Sequence, residues 1–368
     1  MRYQHVCLEA FGYTLPEEVV TSDQIETALA PLYRRLRLPE GRLELMSGIR
    51  ERRFWPRDML PSEMSVESAE KAIRISGIDK GEIGALIHAS VCRDYLEPAT
   101  ACVVHHRLGL RRECLVYDVS NACLGVLNGM LQVASMIELG QIRAGLVVGT
   151  EGSRQLVETT IRQLNADESL TRDDVKLAVA SLTIGSGSVA VVLCDRDLSR
   201  TQNRLTSAVA RSNTDFHDLC HSGRDEAAAD GMQPLMRTDS EKLMRAGIEL
   251  AADTFAEFLA ATGWSLDQID KTFCHQVGQA HRRLMFDSLR LDPAIDFPTV
   301  EYLGNTGSVA LPTAAAIGIE QGRLKQGDRV ALLGIGSGIN CLMLGVEWQR
   351  SLAATKPSTP SSRLVKSS

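Results

Sequence analysis

The stretch VSNACLGVLNGM, residues 119–130, places one cysteine at the start of an apolar run. Small residues precede Cys123. Five apolar residues follow at spacings that predict a helix buried on most of its surface: Leu124, Val126, Leu127, Met130 and Leu131. A cysteine in this position is either a small hydrophobic core residue or a nucleophile at the first turn of a buried helix.

The composition is that of an ordinary globular protein. The chain has 368 residues, of which 44% are hydrophobic and 23% are charged. A formal net charge of -6 without any basic stretch argues against a nucleic-acid partner. The N-terminus lacks the apolar segment of a signal peptide, and no run is long enough to span a membrane. We therefore expect a soluble, cytoplasmic protein.

The cysteines point away from disulfides and metals. There are nine, an odd number, and none forms a C-x-x-C pair. This pattern is typical of reduced thiols rather than of a disulfide framework or a zinc site. We expect no cofactor and no metal.

An internal repeat organises the chain. IELGQI (137–142) resembles IEQGRL (319–324) at an offset of 182, and AGLVVGT (144–150) resembles VALLGIGS (330–337). SGIDKGEIGALIHAS (76–90) likewise resembles TGWSLDQIDKTFCHQ (262–276). Each copy predicts an amphipathic helix, a glycine stop, an apolar strand, a buried helix and a second apolar strand. Two α/β halves of like topology, with sheets covered on both faces, follow from this repeat.

The repeat also suggests boundaries. We expect an N-terminal half over 1–200 and a C-terminal half over 201–350. The charged segment 153–180 lies outside the repeat and predicts an insertion or arm, and the Ser/Pro/Lys-rich tail 351–368 predicts disorder. The first helix of the C-terminal half should begin at a Ser240 cap and end before Gly263.

The same offset carries Cys123 onto Asn305, in YLGNTGSVALP. Both residues are predicted to lie at the start of a buried helix, and such starts can converge near the axis that relates two halves. A helix N-terminus presents free N–H groups and the positive end of a dipole, which lower the pKa of a thiol. This pairing favours the nucleophile over the inert core cysteine.

Two further motifs belong with this pair. His275, in FCHQVG, directly follows an apolar strand, where α/β proteins place their chemistry, although a single histidine is often structural. GIGSG (334–338) resembles a dinucleotide loop, but the following INCLMLGVEW predicts a strand rather than a helix. We instead expect the N–H of Ser337 to lie beside that of Cys123, facing a thioester oxygen.

These motifs give a family resemblance. SGIRERRF, NACLG, HQVG, GNTGSVALP and LLGIGSG occur in the order found in the thiolase superfamily, in its ketoacyl-ACP synthase III branch. SVCRDYLEPATA (90–101) and LLGIGSGINC are most similar to the acyl-CoA condensing enzymes of olefin biosynthesis. The resemblance implies a duplicated thiolase fold of five layers, αβαβα, and a homodimer. It also implies that Cys123 is acylated and that His275 and Asn305 form the second oxyanion site.

Glu97 distinguishes the subtypes. Condensing two plain acyl thioesters requires removal of an α-proton, whereas a decarboxylating synthase obtains its carbanion by losing CO2. The resemblance implies that Glu97 supplies this base from the opposite subunit; the alternative is a solvated loop glutamate before Pro98. Two positions depart from the synthase III pattern, Gly278 in place of an asparagine and Ser186 in place of an acidic residue.

Three functions remain open at this point. The first is non-decarboxylative Claisen condensation of two long-chain fatty acyl-CoAs to a β-keto acid or its thioester. The second is 3-oxoacyl-ACP synthesis from acyl-CoA and malonyl-ACP, and the third is an acyl-CoA-binding scaffold without catalysis. The expected partners are fatty acyl-CoA, a second copy of the chain, and an acyl carrier protein or downstream olefin-pathway enzymes. The cluster His281, Arg282 and Arg283 predicts either a CoA phosphate contact or a solvated helix face.

Overall fold

The computed structural model describes residues 1–222 and 236–352. The predicted tail therefore lies outside the described residues, except for Ser351 and Leu352. Among the described residues, no helix combines the length and the apolar character needed to cross a bilayer.

The described residues form strands and helices in alternation. The strands are β1 Val6–Thr14, β2 Glu18–Thr21, β3 Glu51–Phe54, β4 Ile83–Ala89, β5 Leu115–Val119, β6 Ala144–Glu151, β7 Gly187–Asp195, β8 Arg204–Ser212, β9 Cys220–Ser222, β10 Met236–Thr238, β11 Lys271–Cys274, β12 Arg329–Gly336 and β13 Asn340–Glu347. The helices are α1 Ser22–Ala28, α2 Ala30–Leu36, α3 Arg42–Ser47, α4 Pro61–Ser76, α5 Thr100–Leu108, α6 Gly125–Glu138, α7 Arg154–Ala166, α8 Arg172–Leu182, α9 Ser240–Thr262, α10 Gln279–Leu289, α11 Val300–Leu303 and α12 Ala310–Glu320.

Strand pairing shows the duplication directly. Nine strands form one mixed sheet in the order β11-β12-β13-β8-β1-β7-β6-β4-β5. In the N-terminal half, β4 runs parallel to β6, β6 antiparallel to β7, and β7 antiparallel to β1. In the C-terminal half, β11, β12, β13 and β8 repeat those three pairings in the same order. The two halves join where Cys7 of β1 pairs with Arg204 of β8, and the predicted boundary falls in the connection between β7 and β8.

Three apolar clusters show the five layers. The central cluster packs α6 and α12 between the two halves of the sheet and includes Leu127, Ala314, Val147 and Leu332. A second cluster covers the outer face of the N-terminal half with α4 and α5, and a third covers the outer face of the C-terminal half with α9 and α10. The order is helices, sheet, central helices, sheet, helices, which confirms the predicted αβαβα architecture.

A fourth cluster lies apart from the layers. It joins α1–α3 to α7 and α8 through residues that include Leu32, Leu43, Val157, Leu164 and Leu182. The segment 153–180, predicted as an insertion or arm, therefore forms two helices with a core of their own. These helices also reach the cavity described below.

The predicted helix of the C-terminal half begins one residue earlier than expected. Asp239, not Ser240, is its N-cap, because the Asp239 carboxylate accepts the Lys242 N–H at 3.1 Å. Its end is as predicted, with Gly263 in the left-handed region at φ 72°.

Helix α4 approaches β1 closely at Gly12. A Cβ at this position would lie 2.5 Å from the Ala72 nitrogen and would also collide with the Ser68 carbonyl oxygen. Both obstacles are backbone atoms of α4, which cannot rotate away. Only a residue without a side chain allows the helix to lie on the sheet here.

We expect Gly12→Ala to lower the free energy of unfolding by about 1–3 kcal/mol, because α4 must shift off the sheet to admit the methyl group. Urea unfolding followed by circular dichroism measures the change. Gly187→Ala is the matched control in the same sheet, since its Cβ would meet nothing nearer than 3.6 Å. Equal unfolding midpoints for the two variants would contradict the steric argument.

Candidate active site

Cys123 lies in a tight turn between β5 and α6. The Leu124 N–H donates to the Asn121 carbonyl at 2.9 Å, and α6 starts two residues after the cysteine. Ala122 has φ 43°, a left-handed value that is uncommon for a residue with a side chain. The thiol thus precedes the buried helix on a strained turn and faces a cavity.

The glycine turn after β12 lies directly against this nucleophile. A Cβ at Gly336 would be 3.6 Å from the Cys123 Cβ and 3.0 Å from the Leu124 side chain. Asn340 on β13 donates to both the Ser337 carbonyl at 3.2 Å and the Asn121 side chain at 3.4 Å. As predicted, a strand and not a helix follows the turn, and the turn packs against the cysteine.

The expected low pKa of the Cys123 thiol is wrong for this structure. The pKa is raised to about 12, chiefly by burial and also by the nearby Cys220 thiol and Glu151 carboxylate. The backbone N–H groups of Ser337 and of Cys123 itself bond to the sulfur and act in the opposite direction. Both donors were predicted to face a thioester oxygen, but neither belongs to the helix start, since α6 begins at Gly125. Burial, Cys220 and Glu151 outweigh them.

His275 lies where the sequence predicted, at the end of β11. Its N–H donates to the Leu333 carbonyl at 3.0 Å, which fixes it against β12, and the residue is buried. Burial, together with His281, lowers the pKa of the imidazole to about 3. Its Nδ1 has no partner among residues 1–222 and 236–352. His275 lines the cavity, and a neutral imidazole can donate a hydrogen bond to an oxygen there.

Asn305 lines the same cavity, but it does not start a helix. It pairs with Ile184 in an isolated bridge, and α12 begins only at Ala310, after a short 3₁₀ turn at Gly307–Val309. Positive φ values at Gly304 and Gly307 form the loop that separates the residue from the helix. The Asn305 Oδ1 accepts the Gly307 N–H at 3.0 Å, which leaves the NH₂ group to donate elsewhere.

Glu97 is not brought to the cysteine within one chain. It is exposed, precedes Pro98 and does not line the cavity. Its loop carries three further exposed apolar side chains, Val91, Tyr95 and Leu96. A single copy of the chain therefore unites Cys123, His275, Asn305 and Ser337 around one cavity and leaves Glu97 outside.

The cavity has a volume of about 1310 Å³. Its walls near the cysteine include Ile335 and Ile339, and farther away they include apolar residues of α3, α7, α8 and α9: Met46, Leu156, Leu177, Val179, Leu243 and Met244. Cavities for small ligands are usually smaller, on the order of 300–1,000 Å³. The space and its lining suit a long apolar chain. Within the described ranges, no group of three or more His, Cys, Asp or Glu residues could hold a metal.

Sequence reasoning missed Glu151. This carboxylate ends the buried strand β6, is only 5% exposed and lines the cavity near Cys123. The signal available in the sequence was an acidic residue closing the apolar run AGLVVGTE. That signal alone is typical of a strand end at the surface.

Two departures from the synthase III pattern have structural explanations. A Cβ at Gly278 would lie 2.9 Å from the Ser47 carbonyl oxygen, so no asparagine fits there without moving α3. The Ser186 hydroxyl accepts the Ser153 N–H at 3.0 Å and joins β7 to the start of α7. In the cluster His281, Arg282 and Arg283, Arg282 forms an ion pair with Asp296 at 2.6 Å, while His281 lines the cavity.

Comparison with known proteins agrees with this geometry. Residues 47–209 match the thiolase N-terminal domain, and residues 259–348 match the 3-oxoacyl-[acyl-carrier-protein] synthase III C-terminal domain. The acyl-CoA:acyl-CoA alkyltransferase of Shewanella oneidensis is 44% identical over 95% of this chain and its own full length. The enzyme of that name from Xanthomonas campestris pv. campestris is 36% identical over the same shares of both chains.

The chain belongs to the acyl-CoA:acyl-CoA alkyltransferase family. Its members are thiolase-fold condensing enzymes. Crystal structures of Xanthomonas campestris OleA share the fold: a glutamate-to-glutamine variant superimposes with a TM-score of 0.88 at 35% identity, covering 95% of this chain and 98% of that one. A cysteine-to-serine variant holding lauric acid and lauroyl-CoA gives the same TM-score and identity over 94% and 100%.

The neutral state of His275 has a consequence for stability. As pH falls through about 6.5 the unfolded chain takes up a proton at this histidine, whereas the folded chain takes it up only near pH 3. The free energy of unfolding of the natural protein therefore falls with falling pH. Between pH 7 and pH 5, we expect His275→Asn to lose about 2 kcal/mol less of this free energy than the natural protein. Urea titrations at both pH values test this. His5→Asn, an exposed histidine, should behave like the natural protein; equal losses in all three proteins would refute the assignment.

Proposed function

We propose that this enzyme condenses two long-chain fatty acyl-CoAs head to head, through an acyl-Cys123 intermediate, to a β-keto product. The observation that carries the proposal is the convergence of Cys123, His275 and Asn305 on one large, largely apolar cavity. Membership of the alkyltransferase family supports it. The names of the related enzymes give the substrate class.

The first step transfers an acyl group to the cysteine. The Cys123 sulfur attacks the thioester carbonyl, the bond to the CoA sulfur breaks, and the thiol proton leaves with CoA as free CoA thiol. The N–H groups of Ser337 and Cys123, which point at the sulfur in the resting protein, are positioned to hold the carbonyl oxygen as it becomes an oxyanion.

The second step forms the carbon–carbon bond. A base removes an α-proton from the second acyl-CoA, and the resulting carbanion attacks the acyl carbonyl on Cys123. The bond between this carbon and the Cys123 sulfur then breaks, and the sulfur leaves as the thiolate. The neutral His275 and the free NH₂ group of Asn305 can donate hydrogen bonds to the enolate oxygen of the second thioester.

Glu97 is the proposed base, supplied by the partner in a homodimer. Its absence from the cavity of its own chain supports action in trans. The loop around it exposes Val91 by 49%, Tyr95 by 56% and Leu96 by 51%, an apolar patch that a second copy would cover. We propose both the homodimer and the role of Glu97 as the base.

Mutations should distinguish the nucleophile, which is needed for acylation, from the His275 and Asn305 donors, which are needed only for condensation. Cys123→Ala should form no acyl adduct with myristoyl-CoA, whereas Asn305→Ala should acylate normally and condense about 10²–10³-fold more slowly, because Asn305 serves the second carbonyl. Intact-protein mass spectrometry measures acylation, and product analysis measures condensation. Full acylation of Cys123→Ala would show that Cys123 is not the nucleophile. Condensation at the wild-type rate by Asn305→Ala would show that the asparagine has only a structural role.

Glu97→Gln should leave acylation intact and slow condensation of two acyl-CoAs by at least about 10²-fold, because the α-proton then has no base. Mixing this variant with Cys123→Ala tests the arrangement in trans. Only a heterodimer rebuilds one complete site, so random exchange should restore about a quarter of the wild-type activity. No restoration in a confirmed heterodimer would place the base within its own chain.

The synthase III alternative predicts a different pattern. If the natural protein makes nothing from acyl-CoA alone and turns over malonyl-ACP, decarboxylation supplies the carbanion. Glu97→Gln should then be nearly silent. A protein that binds acyl-CoA without any covalent adduct would instead be the scaffold.

A further inference from the structure

Glu151 is a buried carboxylate that the proposed chemistry does not use. It ends β6 beside the central helices, lines the cavity with Cys123, and is 5% exposed. Within residues 1–222 and 236–352, no cationic side chain forms an ion pair with this carboxylate. An unpaired carboxylate in such a place is costly unless several donors hold it.

Three donors hold it, and they come from two separate segments. The Ser308 hydroxyl donates to Oε1 at 2.5 Å, the Val91 N–H donates to Oε1 at 3.0 Å, and the Cys92 N–H donates to Oε2 at 3.3 Å. Ser308 lies three residues after Asn305, and Val91 and Cys92 begin the loop that leads to Glu97. Gly307 packs on the same side chain, since a Cβ added at this glycine would lie 3.4 Å from the Glu151 Cγ.

We propose that Glu151 is a positioning residue of the condensing site, whose buried carboxylate fixes the Asn305 segment and the Glu97 loop against the end of β6. The inference rests on the proposed function, because it assigns Glu151 to the placement of that function's donor and base. Charge-assisted hydrogen bonds are stronger than neutral ones and more demanding in geometry. A glutamine could accept from fewer of these donors, because its NH₂ group would face an N–H.

The same charge acts on the nucleophile. Burial disfavours the thiolate of Cys123 most strongly, and Cys220 from β9 and Glu151 from β6 disfavour it further, while the neutral His275 from the end of β11 lines the cavity without adding charge. Glu151 therefore adds to the effect of burial that keeps the resting thiol protonated. The thiol then gives up its proton only when acyl-CoA is in place, and that proton leaves with CoA.

Alkylation of Cys123 reports this effect without any substrate. We expect Glu151→Gln to react with iodoacetamide at Cys123 roughly tenfold faster at pH 8, the change that one pKa unit gives, since only the thiolate reacts. Peptide mapping by mass spectrometry isolates the Cys123 signal from the other thiols. An unchanged rate of Cys123 alkylation at pH 8 in Glu151→Gln would overturn the electrostatic role.

Glu9→Gln is the matched control. Glu9 is also a buried carboxylate, 3% exposed, and accepts from Ser199, Arg200 and Thr201, but it does not line the cavity. It should lose stability as Glu151→Gln does and leave the alkylation profile of Cys123 unchanged. An equal shift in both variants would show a general loosening of the fold and would refute the proposal.

Glu151→Asp separates the charge from the reach. The aspartate keeps the negative charge but is one methylene shorter, so Cys123 alkylation should stay at the wild-type rate while condensation of acyl-CoAs falls at least about tenfold. Unchanged condensation would overturn the role in holding the two segments. If the natural protein condenses no acyl-CoA, the proposed function fails, yet the alkylation profiles still test Glu151.

Discussion

The architecture depends on two helices that are largely buried. Helix α12 is buried from Ala310 to Gly318 and α6 exposes only Gln132, because each lies between the two halves of the sheet. A helix in that position has little room for chemistry along its sides, since most of its side chains are needed for packing. Polar function is therefore confined to the segments just before the helices, which is where Cys123 and Asn305 lie. The close packing also explains why glycines recur where strands and loops meet these helices, as at Gly336.

Much of this was predictable from the sequence, because the duplication leaves matching patterns in both halves. The fold class, the strand after the glycine turn, and the shared cavity of Cys123, His275 and Asn305 all follow from local motifs and from the offset between the two halves. The errors concern contacts between distant segments and the local geometry of one loop. The pKa of Cys123 depends on Cys220 and Glu151, and no local pattern around the cysteine contains them. Asn305 was assigned to a helix start because the two left-handed glycines around it carry no periodic signal.

The active site shows how a hydrophobic cavity tolerates polar chemistry. Three residues of the cavity are held by backbone atoms: the His275 main-chain N–H donates to the Leu333 carbonyl, the Asn305 side chain accepts from the Gly307 N–H, and the Glu151 carboxylate accepts from the amides of Val91 and Cys92. Backbone partners are fixed by the strands and cannot change rotamer. The donors are thereby preorganised for developing negative charge at no further cost when the reaction begins.

The seam between β1 and β8 has a consequence for how the molecule folds. The first strand of the chain lies in the middle of the nine-stranded sheet, paired on one side with β7 and on the other with β8. During synthesis, β1 must wait for about half of the chain before its first neighbour emerges, and the C-terminal half then adds to an edge that already exists. Contacts of such long sequence separation slow folding. We therefore expect the N-terminal half to form first and its C-terminal duplicate to add to the edge that β1 provides, in the order in which the two halves are translated.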